Sequence, residues 1–174
     1  MRSLLPKLSS PEGWFVLDTE TTGLGSDAEI VEVAVISGAG TVLLDQTVRP
    51  TSRVSPECTR IHGLTDHDLR TSPAFPAIYE ALDRLIRNRT VVAYWADFDR
   101  RILGATCARH RLPPITADWI CALELFESLR GFRAPLQIAC EIEGIAVMAR
   151  HRAAADASLT WALVERLRAQ ALDH

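Results

Sequence analysis

The chain has 174 residues, 48% of them hydrophobic and 24% charged, which supplies one packed core and excludes a disordered chain. A formal net charge of -3 excludes the strongly basic composition of a general nucleic-acid coat protein. Cys58, Cys107, Cys121 and Cys140 are widely spaced with no C-x-x-C pair, which argues against a zinc site or disulfide framework and fits reduced thiols in a cytoplasmic protein.

In chain order, Met1 to Ser10 carries no apolar run of signal or membrane-spanning length, so no membrane association is expected. Trp14 to Leu17 is apolar and predicts a buried strand. Glu29 to Ser37 and Thr41 to Val48, separated by the tight turn Gly38-Ala39-Gly40, predict two further strands, and the short turns imply an antiparallel meander. After Arg49-Pro50, Pro56 to Arg60 predicts one helical turn, and Thr65 with Asp68 has the spacing of a cap at the start of a short helix. Ser72-Pro73 opens a helix through about Arg87, with Ile78, Leu82 and Ile86 at helical spacing.

Thr90 to Tyr94 predicts a short strand, followed by a helix from Asp97 or Asp99 toward His110 that Pro113-Pro114 breaks. A fifth strand is expected over Ile115 to Ile120, then helices over about Cys121–Arg130 and Pro135–Glu143, a loop over Ile145–Arg152, and a last helix from about Ala153 to Ala171. The order predicts an α/β fold with a mixed five-stranded sheet, three antiparallel strands then two parallel ones, flanked by helices in a single domain over residues 1–174 with its core at about 14–171.

The chemistry collects on carboxylates. Asp18 and Glu20 are two residues apart at the end of the first strand, so their side chains share a face. Two close carboxylates repel unless a proton or cation lies between them. Thr21-Thr22-Gly23-Leu24 then turns the chain and lets backbone approach whatever the acids hold. Asp99 follows the fourth strand, and if that strand runs parallel beside the first, Asp99 reaches the same sheet end. Asp156 falls in the first turns of the last helix, five residues after His151. Either acid alone reads equally well as a helix-terminus residue. Together, four oxygen donors without cysteine suit hard cations such as Mg²⁺ or Mn²⁺, and two such ions about 4 Å apart clamp the attacking and leaving oxygens of a phosphoryl displacement. A histidine beside them has the pKa range to take a proton from water.

These segments resemble the DEDDh (DnaQ-like) 3′-to-5′ exonucleases, the group that includes the proofreading subunit of bacterial DNA polymerase III, ribonuclease T and oligoribonuclease. The resemblance runs from about Trp14 to Leu167 and rests on Asp18-Thr19-Glu20-Thr21-Thr22-Gly23-Leu24, Ile61-His62-Gly63-Leu64-Thr65, Phe98-Asp99, and His151 with Asp156. It implies a ribonuclease H-like fold, two metal ions (Mg²⁺ or Mn²⁺) on Asp18, Glu20, Asp99 and Asp156, and His151 as general base. It further implies substrate contacts from Thr21, Thr22, Gly23, Leu24 and Phe98.

The chain departs from the family's usual His-Asn with Tyr94-Trp95, and Trp95 reads either as a base-stacking residue or, slightly favoured, as core filling at the strand end. Arg100, Arg101, Arg150 and Arg152 flank the acids and read as phosphate contacts or as a solvated face. His62 reads as structural; His67, His110 and His174 read as surface residues.

The expected activity is hydrolysis of nucleic acid 3′ ends, single-stranded or frayed DNA first, with a short-RNA exonuclease or a non-catalytic nucleic-acid-binding relative as alternatives. The sequence leaves monomer and homodimer open. No tail after Leu172 reads as a polymerase-binding or clamp-binding segment, so a free-standing nuclease is expected over an obligate polymerase subunit.

Overall fold

A computed structural model describes residues 5–147 and 151–172. Five strands form one sheet: β1 (Trp14–Thr21), β2 (Ile30–Ser37), β3 (Val42–Thr47), β4 (Thr90–Ala93) and β5 (Asp118–Cys121). Their spatial order is β3-β2-β1-β4-β5. The β1–β2 and β2–β3 pairs are antiparallel, and β4 runs parallel to both β1 and β5. The arrangement agrees with the ribonuclease H-like fold expected. The helices are α1 (Pro56–His62), α2 (Phe75–Ile86), α3 (Ala96–Arg109), α4 (Ala122–Arg130), α5 (Leu136–Ile142) and α6 (Ala153–Leu172).

The period-two alternation of β1 divides the core. Trp14 and Val16 face one side, with Ala34, Val92 and Ile120, and pack against α4, α5 and α6. Phe15 and Leu17 face the other, with Val33, Val35 and Val91, and pack against α2 and α3. Asp18 and Glu20 share the parity of Trp14, so they point toward α6; Thr19 points toward α3.

Local signals explain most boundaries. Ser55 caps α1 by accepting the Cys58 N–H, and Gly63 closes it in the left-handed region at φ 78°. Thr65 and Asp68 cap each other, as their spacing implies, ahead of a 3-10 turn at Asp68–Thr71. The fifth strand differs from expectation: it begins at Asp118, not Ile115. The Asp118 N–H is the first to reach β4's end of the sheet, donating to the Arg89 carbonyl at 2.9 Å, while Ile115 is buried among the α2–α3 residues. None of the described helices is long and apolar enough to cross a membrane.

Candidate active site

The C-terminal end of β1 carries Asp18 and Glu20 on the α6 face, and the first turn of α6 brings Asp156 to them. Donor oxygens of the three carboxylates all lie within 4.8 Å of one another. Asp156 is buried, and its Oδ2 accepts the His151 backbone N–H at 3.1 Å while His151 Nδ1 lies 4.0 Å away. His151 adopts φ 57°, a left-handed conformation that costs a non-glycine residue energy and turns the chain sharply into α6.

Asp99 comes from the opposite helical layer. It sits in the first turn of α3, fully inside the fold, and its Oδ1 accepts the Thr19 hydroxyl at 2.8 Å. Among the described residues the tight three-acid cluster therefore omits Asp99, although its charge is close enough to push up the pKa of Asp18. The parallel placement of β4 beside β1 brings the start of α3 to the C-terminal end of β1, where Asp99 meets Thr19, the residue between Asp18 and Glu20.

A fifth acid, Glu32, was not singled out from the sequence. It stands directly opposite Glu20 in the β1–β2 ladder and is 1% exposed. Arg152 Nε donates to both Glu32 oxygens at 3.0 Å, Arg152 Nη2 donates to Oε1, and the Ala153 N–H donates to Oε2 at 2.9 Å. Arg152, read from the sequence as either a phosphate contact or part of a solvated face, is half-exposed and paired with a buried carboxylate. The available signal was composition: Glu32 is the one charged residue in a Val- and Ile-rich strand that is buried on both faces.

The electrostatics follow from this crowding. Burial pushes the Asp18 carboxyl well above its ordinary range, and the charges of Asp99 and Glu20 push it further. Glu20 is raised to about 8, by burial first and then by Asp156 and Glu32. Asp99 is raised to about 7 by burial, opposed by the Thr19 hydrogen bond. Such acids hold protons near neutrality unless a cation replaces them. An all-oxygen donor set at these separations fits a hard divalent cation, whose ligands lie about 2.1 Å away for Mg²⁺, after small side-chain adjustment.

The rim contains the aromatic residues. Trp95 does not fill the core: it is 59% exposed and stacks on Phe98 with ring centroids 5.8 Å apart. The core position at the strand end is taken by Tyr94, whose hydroxyl donates to the Ala134 carbonyl at 2.5 Å. Arg101 lies over the Phe98 ring, 5.3 Å from its centroid, and donates to the Leu24 and Gly25 carbonyls. Leu24 is 72% exposed beside this ladder.

The Thr21 and Thr22 hydroxyls are committed inside the turn. Thr21 donates to the Gly23 carbonyl and Thr22 accepts the Glu29 N–H; the Thr22 backbone is engaged as well, its N–H donating to the Glu29 carbonyl and its carbonyl accepting the Ser55 N–H, both at 2.9 Å. His62 accepts the Leu64 N–H at Nδ1 and faces the Thr21 carbonyl through Nε2 at 3.2 Å, so Nε2 carries the proton; burial holds its pKa down. His67 is exposed. His110 is not a free surface residue but stacks on Phe75 at 5.9 Å. Arg100 pairs with Asp97 at the surface. Arg150 and His174 lie outside the described residues.

Residues 15–164 match the family model described as "Exonuclease" (RNase_T). A protein of Escherichia phage 186 named as the uncharacterized exonuclease CP81 is 35% identical over 166 residues, covering 87% of this chain and 86% of that protein. Exodeoxyribonuclease 10 of Escherichia coli K12 is 32% identical over 66% of this chain, which spans 47% of that protein's length. The solved structure of exonuclease X in complex with 5′ overhanging duplex DNA superposes with a TM-score of 0.72 at 26% identity, covering 90% of this chain and 92% of that one.

Proposed function

The chain belongs to the exonuclease family, and we propose that it removes nucleotides one at a time from the 3′ ends of single-stranded or frayed DNA, releasing nucleoside 5′-monophosphates. The observation that carries this reading is the convergence of Asp18, Glu20 and Asp156 within 4.8 Å, with His151 anchored to the same Asp156. The DNA preference is supported by the names of the relatives, an exodeoxyribonuclease and a nuclease bound to duplex DNA. The reading treats residues 14–171 as one exonuclease domain.

In this reading Asp18, Glu20, Asp99 and Asp156 would together hold two divalent cations, Mg²⁺ or Mn²⁺. These ions would supply the Lewis-acid charge that offsets the phosphodiester's own and lowers the pKa of the attacking water. His151 accepts a proton from that water as its oxygen bonds to phosphorus. The bond from phosphorus to the 3′ oxygen of the preceding nucleotide breaks, and that oxygen takes a proton to become the new 3′ hydroxyl. Leu24, Trp95 and Phe98 provide the apolar and aromatic surface on which terminal bases rest, and Thr21 and Thr22 hold the turn from which Gly23 presents backbone to the 3′ end.

The test uses oligonucleotides of DNA and RNA labelled at the 5′ end, with Mg²⁺ or Mn²⁺. A ladder of progressively shorter labelled products, abolished by EDTA and by Asp99→Ala, is the expected result. Immediate release of the labelled nucleotide would mean the opposite polarity. RNA shortened faster than DNA would reverse the substrate assignment, and no cleavage of either would refute the enzyme reading.

A further inference from the structure

Three alanines open α6, and none of them can cap a helix. The N-terminus is covered instead from the sheet. Glu32 on β2 accepts the Ala153 N–H at 2.9 Å and the Arg152 guanidinium through Nε and Nη2. A carboxylate at a helix N-terminus is favoured by the helix dipole and by the uncovered N–H groups there. Because the fork from Arg152 and the backbone N–H of the next residue grip one carboxylate together, both the axial position and the rotation of α6 are fixed against β2. The residues that this grip carries are His151, directly before Arg152, and Asp156, three residues after Ala153.

The pair also sets the charge next to Glu20. Glu32 is Glu20's direct cross-strand partner, and a bare carboxylate opposite another destabilises a ladder. With Arg152 bound to it, Glu20 faces an ion pair, and negative charge is left at the cluster without a second unpaired acid behind it.

We propose that Glu32 and Arg152 are positioning residues: their ion pair registers α6 on the sheet, and thereby sets the separation of Asp156 from Asp18 and Glu20 and the direction of the His151 side chain. This rests on the proposed roles of Asp156 and His151. Neither Glu32 nor Arg152 touches substrate in this scheme. Partners that orient metal ligands from behind are worth roughly 10–100-fold in metal affinity or activity when removed.

The experiment compares wild type with Glu32→Gln, Arg152→Met and Arg152→Lys. The readouts are Mn²⁺ affinity by calorimetry, amide exchange of residues 153–156 in metal-free protein, and kcat and KM on a DNA oligonucleotide. Arg152→Met should weaken Mn²⁺ binding and lower kcat by roughly 10–100-fold with KM little changed, and should speed exchange at the start of α6. Arg152→Lys keeps the charge but loses the fork, so it should recover only part of the loss. Arg152→Met strands the buried Glu32 carboxylate, so the double variant Glu32→Gln/Arg152→Met, which removes both charges, supplies the same readouts if the single variant does not fold.

Wild-type Mn²⁺ affinity, exchange and kcat in a folded Arg152→Met protein would reduce the pair to a stabilising contact and overturn the proposal. A rise in KM alone would also overturn it, by making Arg152 a phosphate contact. If wild type cleaves nothing, the proposed function fails, while Mn²⁺ affinity and exchange still decide the role of the pair.

Discussion

Glu20 and Glu32 face each other across one rung of the β1–β2 ladder, and among the described residues the Arg152 guanidinium forms its ion pair with Glu32. Glu32 is neutralised by Arg152; Glu20 is left to share its surroundings with Asp18 and Asp156. The strand pair therefore sorts two chemically identical side chains into a structural acid and a reactive one by what stands beyond each.

The unshared charge makes metal-free stability depend on pH. Glu20 and Asp99, at about 8 and about 7, lie above the ordinary carboxylate value near 4. Between about pH 4 and 8 the folded chain binds more protons than the unfolded one, so its stability falls as pH rises through that window. Thermal melts in EDTA should show Tm declining from about pH 5 to about pH 9, and Mn²⁺ should raise Tm more at the upper end. A metal-free Tm that climbs over this range would contradict the crowding described here.

Asp18→Asn should separate stability from activity. The amide removes the charge that Asp99 and Glu20 oppose, so the metal-free variant should melt at or above the wild-type temperature. The same change deletes a cation ligand, and cleavage should fall by at least ~100-fold. Calorimetry alongside a single-turnover nuclease assay gives both numbers.

His151→Ala should lower the single-turnover rate at neutral pH by about 10²–10⁴-fold, the range of a lost general base. The deficit should narrow at high pH, where hydroxide replaces the missing base. A parallel wild-type and variant pH profile would instead assign His151 to holding α6.

Trp95→Ala should weaken DNA binding without unfolding the protein, since the indole is mostly exposed and its stacking partner Phe98 stays in place. Stacking worth about 1–3 kcal/mol per base corresponds to a roughly 5–150-fold loss. Fluorescence anisotropy with a labelled oligonucleotide in Ca²⁺ measures it, and unchanged affinity would remove Trp95 from the binding surface.

Gly38→Ala is expected to destabilise the fold far from the acids. A Cβ there would meet Trp14 Nε1 at 2.5 Å and the Pro11 carbonyl at 2.6 Å, contacts with buried or backbone atoms that cannot retreat freely. An overpacking cost of about 1–3 kcal/mol implies a Tm roughly 2–12 °C lower, with kcat per folded molecule unchanged.

The fold was largely legible because its local and long-range signals agree. The apolar parity of β1, the glycine turn before β3 and the helical spacing of Ile78, Leu82 and Ile86 each report burial that the structure realises. Spacing put Asp18 and Glu20 on one face and topology brought Asp99 to the same sheet end, whereas Asp156 was joined to them by the family resemblance; among the described residues the tight cluster contains Asp156 and not Asp99. What stayed hidden depends on tertiary partners. Glu32 looks like any charged residue in a strand until Arg152 arrives from the other end of the chain. Trp95 is large and apolar enough to read as core filling, yet it is the half-buried Tyr94 that packs against the core while the indole stays outside.

The placement of Asp156 on α6, against a strand made near the beginning of the chain, has a consequence for biosynthesis. Translation proceeds from the N-terminus, and the five strands are all made before α6 leaves the ribosome. A nascent chain at that stage carries Asp18, Glu20 and Asp99 but neither His151 nor Asp156. The proposed centre therefore stays incomplete beside the messenger that encodes it, and is assembled only when the last helix docks.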